Sequence, residues 1–293
     1  MKRYLTLIAV LLTAAALTVQ WTSEARAQFA NTYVSSSGSD ANPCDTPAAA
    51  CRLFPMALSK TVDGGVVRCV DAGNFGLTNI TISVTIDCLA GGGGFNSQEL
   101  TILAPGKTVI LRNIAVNGFH ISFPIDILAA ASVYIENALV GGSGTGTPAI
   151  RDRRAGPGML VIHNSSIARN LGIGILVAPS SGVIGVELDH VRSAYNTYGL
   201  AVGSGGRVMI KNSVFTGNGT AGIEADAGAT VGVSSTQISF NSTGIVASGT
   251  VSLQSSSIDS NSVAISGPTQ SLGNNRIFAN SIDGTTPTIV SPR

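Results

Sequence analysis

Residues 160–177 read LVIHNSSIARNLGIGILV, and five later stretches repeat their frame. These are VELDHVRSAYNTYGLAV from Val186, VMIKNSVFTGNGTAGIEA from Val208, VGVSSTQISFNSTGIVA from Val231, VSLQSSSIDSNSVAIS from Val251 and SLGNNRIFANSID from Ser271. The frame alternates apolar residues, then brings a polar residue, spacers, an Asn, and a small residue followed by an aliphatic one, as in Gly222-Ile223 and Gly244-Ile245. The recurring Asn residues are Asn170, Asn196, Asn218, Asn241, Asn261 and Asn280, separated by 26, 22, 23, 20 and 19 residues. Period-two alternation sends successive side chains to opposite faces of a strand. A constant frame with elastic spacers is how a solenoid is written: insertions go to loops, and each unit buries its apolar side only by stacking on its neighbours. No stretch inside the repeats keeps a long helical period.

The six asparagines are therefore read as a structural ladder, one side chain per coil, hydrogen-bonded along the stack of parallel, in-register strands. A second polar column lines up earlier in the frame: Asn113, Asn137, Asn164, His190, Asn212, Ser235, Ser255 and Asn274. It is read in the same way, as inward-facing. The plainer alternative is that Asn suits turns because it tolerates the left-handed conformation.

The chain opens with Lys2 and Arg3, an apolar run over 5–19, and Ala25-Arg26-Ala27. A charged start, a short apolar stretch and an A-x-A site make a secretory signal peptide. The run is short of the ~20 residues that span a bilayer. The expectation is cleavage after Ala27, a secreted or periplasmic protein, and no membrane span after signal removal. Losing 1–27 removes three of 17 basic and one of 16 acidic residues, leaving 14 against 15 and a net charge of −1. There is no basic excess for nucleic acid.

All four cysteines lie early, at 44, 51, 69 and 88, and an even count in an exported chain favours disulfides. Of three possible pairings, Cys44–Cys51 and Cys69–Cys88 are preferred, the second because 19 residues is about one coil. A metal site is disfavoured, with no C-x-x-C and no His nearby.

After the leader comes a polar, turn-rich segment, a short helical pattern over Leu53, Met56, Ala57 and Leu58 despite Pro55, and Asp63-Gly64-Gly65-Val66-Val67. A solenoid end exposes raw core and strand edges, so 28–65 is expected to be an N-terminal cap. Residues 66–293 form the solenoid, one domain with the cap. Interruptions are expected in the glycine run 91–94 and in the loop 141–157, with a loose tail after Asn280. The run Tyr33-Val34-Ser35, then Gly38-Ser39-Asp40-Ala41-Asn42-Pro43, the helix and the Asp63–Val67 segment resembles the opening of secreted bacterial right-handed parallel β-helix proteins of the pectate-lyase-like superfamily. The downstream coils resemble theirs. The resemblance spans nearly the whole chain after the leader and implies an all-β, single-stranded right-handed parallel β-helix.

It also directs attention to one outward stripe: Arg112, Glu136, His163, Asp189, Lys211, Ser234 and Gln254, the positions just before the second polar column. In pectate-lyase-like enzymes an outward sheet face binds the sugar chain, acidic residues hold Ca²⁺ and a basic residue abstracts the proton. Glu136, Asp189, Lys211 and Arg112 are the candidates here, and Ca²⁺ is the only cofactor that this reading brings. The plainer reading is a solvated strand face of alternating sign, and it is preferred. The Asp-Asp pair, Gly-His-Gly and Arg-x-Lys of the β-helix polygalacturonases are missing, and His120, His163 and His190 are not flanked that way. Paired carboxylates of glycoside hydrolysis are thus not recognisable. Ala104-Pro-Gly-Lys107-Thr108 is no phosphate loop, since Thr101 stands where its first Gly belongs.

Arg151, Asp152, Arg153 and Arg154 form a local charge cluster that could clamp an anionic sugar, with His163 nearby in sequence. A plain exposed loop is the alternative, and metal ligation by His163 or His190 lacks a second ligand at the right spacing. The leading expectation is a non-catalytic protein that binds polysaccharide or a cell-surface glycan along one face. The alternatives are a calcium-dependent uronate lyase and a structural or adhesion protein.

Overall fold

The computed structural model describes residues 28–88, 94–95, 99–118 and 123–291. Residues 1–27, read above as a signal peptide, residues 91–93 of the glycine run and His120 lie outside them. Gly94, read as loop, instead opens the strand Gly94–Phe95, which pairs with Ile114 and Ala115.

Each coil is built from three short strands. One coil holds Ile184–Asp189, Arg192–Ala194 and Tyr198–Val202, and the next holds Gly206–Lys211, Val214–Thr216 and Ala221–Ala225. The second coil lies on the first in register, with Val208 beside Val186, Val214 beside Arg192 and Ile223 beside Leu200. Every strand pairing among the described residues is parallel, as these three are. The result is a column with three sheet faces, here called first, second and third in chain order.

Alternation fills the interior. Val186 and Leu188, Val208 and Ile210, Val231 and Val233, and Val251 and Leu253 face inward from the first face, all 4% exposed or less. Ile167, Phe215, Ile238 and Ile258 enter from the second, and Ile175, Leu200, Ile223, Ile245 and Ile265 from the third. Each such side chain contributes about 1.5–3 kcal/mol on burial, and no coil could seal them alone. The small residue before each third-face aliphatic has a steric cause. A Cβ on Gly199, Gly222 or Gly244 would stand 2.5, 2.8 or 2.6 Å from the backbone oxygen of Gly222, Gly244 or Ala264 in the next coil.

Two left-handed corners bend each coil. The first is the second polar column: Asn113, Asn137, Asn164, His190, Asn212, Ser235, Ser255 and Asn274 all have φ between 48° and 57°. This corrects the inward reading. A left-handed residue reverses the in–out alternation, so these side chains point outward, and the next residue turns in. That next position makes an inner file of its own. The Val191 N–H donates to Ser213 Oγ, the Ser213 N–H to Thr236 Oγ1, the Thr236 N–H to Ser256 Oγ and the Ser256 N–H to Asn275 Oδ1, at 3.0–3.3 Å.

The second corner precedes the ladder asparagines, which are stacked and, Asn280 aside, buried. The backbone N–H groups of Asn170, Asn196, Asn218, Asn241 and Asn261 donate to the side-chain oxygen of the next Asn at 2.9–3.2 Å. All but Asn196 add a side-chain donation to the same oxygen, at 2.8–3.0 Å. The ladder satisfies buried turn groups that no strand partner could reach.

At the N-terminal end, Phe29–Val34 pairs in parallel with Thr61–Cys69, so the segment expected to be a cap also adds a strand to the stack. Its helix, Phe54–Ser59, buries Phe54, Ala57 and Leu58, with the Phe54 ring 5.1 Å from that of Phe75. Pro55 sits in the first turn, where a missing N–H costs nothing. Disulfides join Cys44 to Cys51 and Cys69 to Cys88, with Cα atoms 5.0 and 4.5 Å apart. The tail expected to be loose keeps the register: Ile282–Gly284 pairs with Val263 and Ile265, and Thr288–Ile289 with Gln270 and Ser271. No helix among the described residues is long and apolar enough to cross a membrane.

Candidate functional site

The outward stripe is a true file. Asp87, Arg112, Glu136, His163, Asp189, Lys211, Ser234 and Gln254 follow one another in register along the first face. Its charges are already paired. Arg112 Nε donates to Glu136 Oε2 at 2.7 Å, and that carboxylate raises the Arg112 pKa. Asp189 accepts from Asn212 Nδ2 and from His190 Nδ1, both at 2.9 Å. The Asn212 bond, with His190 adding to it against a burial penalty, holds the Asp189 carboxyl below its ordinary value. Lys211 Nζ reaches Glu187 at 3.1 Å. His163 lies between Glu136 and Asp189, with its Nε2 buried and without a hydrogen-bond partner.

The donor set does not fit calcium. Glu136 and Asp189 are two coils apart, roughly 10 Å at about 4.8 Å per strand, whereas Ca²⁺ needs oxygens at about 2.3–2.6 Å from one point. Basic or imidazole groups alternate with the carboxylates instead of clustering behind them. Among the described residues no three His, Cys, Asp or Glu side chains gather to hold a metal. The carboxylates do not cluster, and His163, between Glu136 and Asp189, has its Nε2 buried, so the file has the form of a solvated face with neutralised charges.

Earlier along the same strands, Gly185 and Gly232 leave hollows. Met159 lies across Gly185 and Met209 across Gly232, with sulfur atoms 3.2 and 3.1 Å from where a Cβ would stand. A groove of about 490 Å³ opens here, lined by Arg207, Met209, Lys211, Ser234 and Gln254 among others.

The charge cluster 151–154 does not act as one unit. Ile150–Asp152 is a strand, not loop, and alternation divides its neighbours. Arg151 and Arg153 face out, and both bond to Asp126, Arg151 bidentately at 2.9 and 2.8 Å and Arg153 at 3.1 Å. Burial alone would raise the Asp126 pKa, but the two guanidinium groups bring it below the ordinary value. Arg151 also lies 3.5 Å from the Phe123 ring centroid. Asp152 and Arg154 face in, are sealed from solvent at 0% and 1% exposure, and bond to each other. They are corrected from candidate ligands to core residues. His163 stands in the first-face file, apart from all four.

The comparisons agree with this architecture. A family model described as right handed beta helix region matches residues 154–288. The solved structure of pectate lyase Pel9A superimposes with a TM-score of 0.50 at 11% identity, over 89% of this chain and 77% of that one. The fold is a right-handed parallel β-helix. At that identity the likeness concerns the β-helix alone. No curated protein sequence matches the chain significantly.

Proposed function

We propose that this β-helix is an exported, non-catalytic binder of polysaccharide or cell-surface glycan. The observation that carries this reading is the state of the first-face file. Glu136, Asp189, Lys211 and Arg112, the groups a lyase would need free, are each held by a neighbour at 2.7–3.1 Å. What is left is a long, regular face with a shallow groove lined by methionine and glycine together with hydroxyl and amide groups, suited to an extended chain. Export is supported by the two disulfides, which need an oxidising compartment, and by the charged, apolar and A-x-A pattern of 1–27.

The test is a glycan array run beside an absorbance assay for unsaturated uronate in the presence of calcium. Retention of a glycan without absorbance is the expected result. Calcium-dependent turnover of any uronate polymer would overturn the reading in favour of a lyase. Silence in both assays would overturn it in favour of a structural role.

A further inference from the structure

The corner between the second and third faces carries a feature that the first face lacks. Immediately before the ladder asparagines stand Arg169, Tyr195, Gly217, Phe240, Ser260 and Ala279, all with φ between 54° and 67°. Glycine takes that conformation freely, whereas a bulky residue there is strained. Two coils nevertheless place aromatic rings at this corner, with Tyr195 56% and Phe240 67% exposed. Burial does not repay the strain, so the observed outlier points towards a role in recognition.

The surroundings indicate the ligand. The Tyr195 ring lies over Gly217, where an added Cβ would stand 2.7 Å from two ring carbons. The Arg192 guanidinium is 5.4 Å from the ring centroid. A cavity of about 530 Å³ opens beside them, lined by Leu139, Ser166, Arg169, Arg192 and Tyr195 among others. No acidic side chain among the described residues lines it, and neither arginine has a carboxylate partner among them.

We propose that this corner is a binding site for acidic oligosaccharide, distinct from the first-face groove. Tyr195 and Phe240 stack on sugar rings, and Arg169 and Arg192 take the uronate carboxylates, for which the planar guanidinium fork is matched. The two rings are two coils apart, roughly 10 Å along the axis, a span comparable with a disaccharide. Aromatic side chains on a fixed corner lose little freedom on binding. Two arginines are few for a nucleic acid, whose affinity is built from many phosphate contacts. The ligand class rests on the glycan-binding reading, but the residues are different ones.

The test is calorimetric titration of the folded protein with oligogalacturonate, with cello-oligosaccharide as the neutral probe and an oligodeoxynucleotide as the non-sugar anion. Tyr195→Gly should weaken oligogalacturonate binding about tenfold or more while leaving the melting temperature unchanged or raised, since glycine relieves the corner. Arg192→Gln should weaken it to a similar degree, and Tyr195→Phe should retain it. Lys107→Gln, which removes a distant positive charge, should stay within about twofold of the parent on this affinity scale. The proposal is overturned if Tyr195→Gly and Arg192→Gln bind like the parent, if the oligodeoxynucleotide binds as tightly, or if oligogalacturonate does not bind. In the first case glycan binding elsewhere on the array would leave the proposed function standing. A blank array would remove both.

Discussion

Asn241 Oδ1 accepts two hydrogen bonds from the preceding coil, one from the Asn218 backbone N–H and one from Asn218 Nδ2, each at 2.9 Å. Asn241 in turn donates to Asn261 Oδ1 and to the Phe215 carbonyl. Every member but Asn280, the last, is thus the acceptor for one coil and a donor to the next. Asn241→Ala leaves two buried donors on Asn218 unpaired, and each such group costs about 1–3 kcal/mol. The expected loss is at least about 2 kcal/mol, read as a lower urea midpoint. Asn280→Ala, at the half-exposed end of the file, should cost distinctly less. Equal losses at the two positions would count against the ladder as a source of stability.

Among the described residues Arg154 and Asp152 are the one ion pair that the fold seals inside, with Nη2 to Oδ2 at 2.7 Å and a further bond from Nη1 to the Ala130 carbonyl at 3.1 Å. Breaking such a pair from one side strands a buried charge, at about 3–5 kcal/mol, whereas replacing both partners by apolar residues is often neutral or better. Arg154→Met alone should therefore destabilise strongly, and the double variant Asp152→Leu with Arg154→Met should recover most of the loss. Thermal unfolding of the two variants decides this. A double variant no more stable than the single one would mean that the pair sets local geometry that apolar packing cannot replace.

The coil architecture was legible because inward residues recur once per turn and loops absorb the differences in length. The ladder asparagines stood out for the same reason. The second polar column faces outward, against the expectation from alternation, because a left-handed residue reverses it. Asn212 and Ser235 look like inward positions until their φ values of 48° and 49° are known, and the inner file is one residue later, at Ser213 and Thr236. The 151–154 cluster misled for a related reason: four adjacent charges read as one patch, yet a strand sends Asp152 and Arg154 in and Arg151 and Arg153 out. The aromatic corner also carries a signal in the sequence. Tyr195 and Phe240 directly precede ladder asparagines, where other coils carry Gly217, Ser260 and Ala279.

The two disulfides should differ in effect. Cys69–Cys88 closes a separation of 19 residues and Cys44–Cys51 one of 7. Loop-closure entropy then assigns the first about 3 kcal/mol and the second about 2 kcal/mol. All four sulfurs belong to fully buried residues, so alanine is the replacement that adds no polar group. Cys69→Ala with Cys88→Ala should lower the urea midpoint more than Cys44→Ala with Cys51→Ala. The reverse order would show that the shorter loop matters through the packing it holds at the N-terminal end.

Glu224 faces outward on the third face between Ala201 and Val246 in the adjoining coils. Burial, reinforced by the like charge of Asp226, raises its pKa above the ordinary carboxylate value. A raised folded-state pKa means that the folded protein holds the proton more tightly than the unfolded chain, whose Glu titrates near about 4.3. Stability from this group is complete below that pH and is lost as pH rises through the folded pKa. At neutral pH the ionised carboxylate is therefore a liability. Glu224→Gln should stabilise the protein at pH 7 by up to about 0.5 kcal/mol, roughly 1–2 °C in Tm for a chain of this size, and the gain should shrink towards pH 4, where Glu224 becomes largely protonated in both states. Melting curves of parent and variant across pH 4–7 measure this. A gain that persists unchanged at the acid end would mean that amide hydrogen bonding, not charge, is responsible.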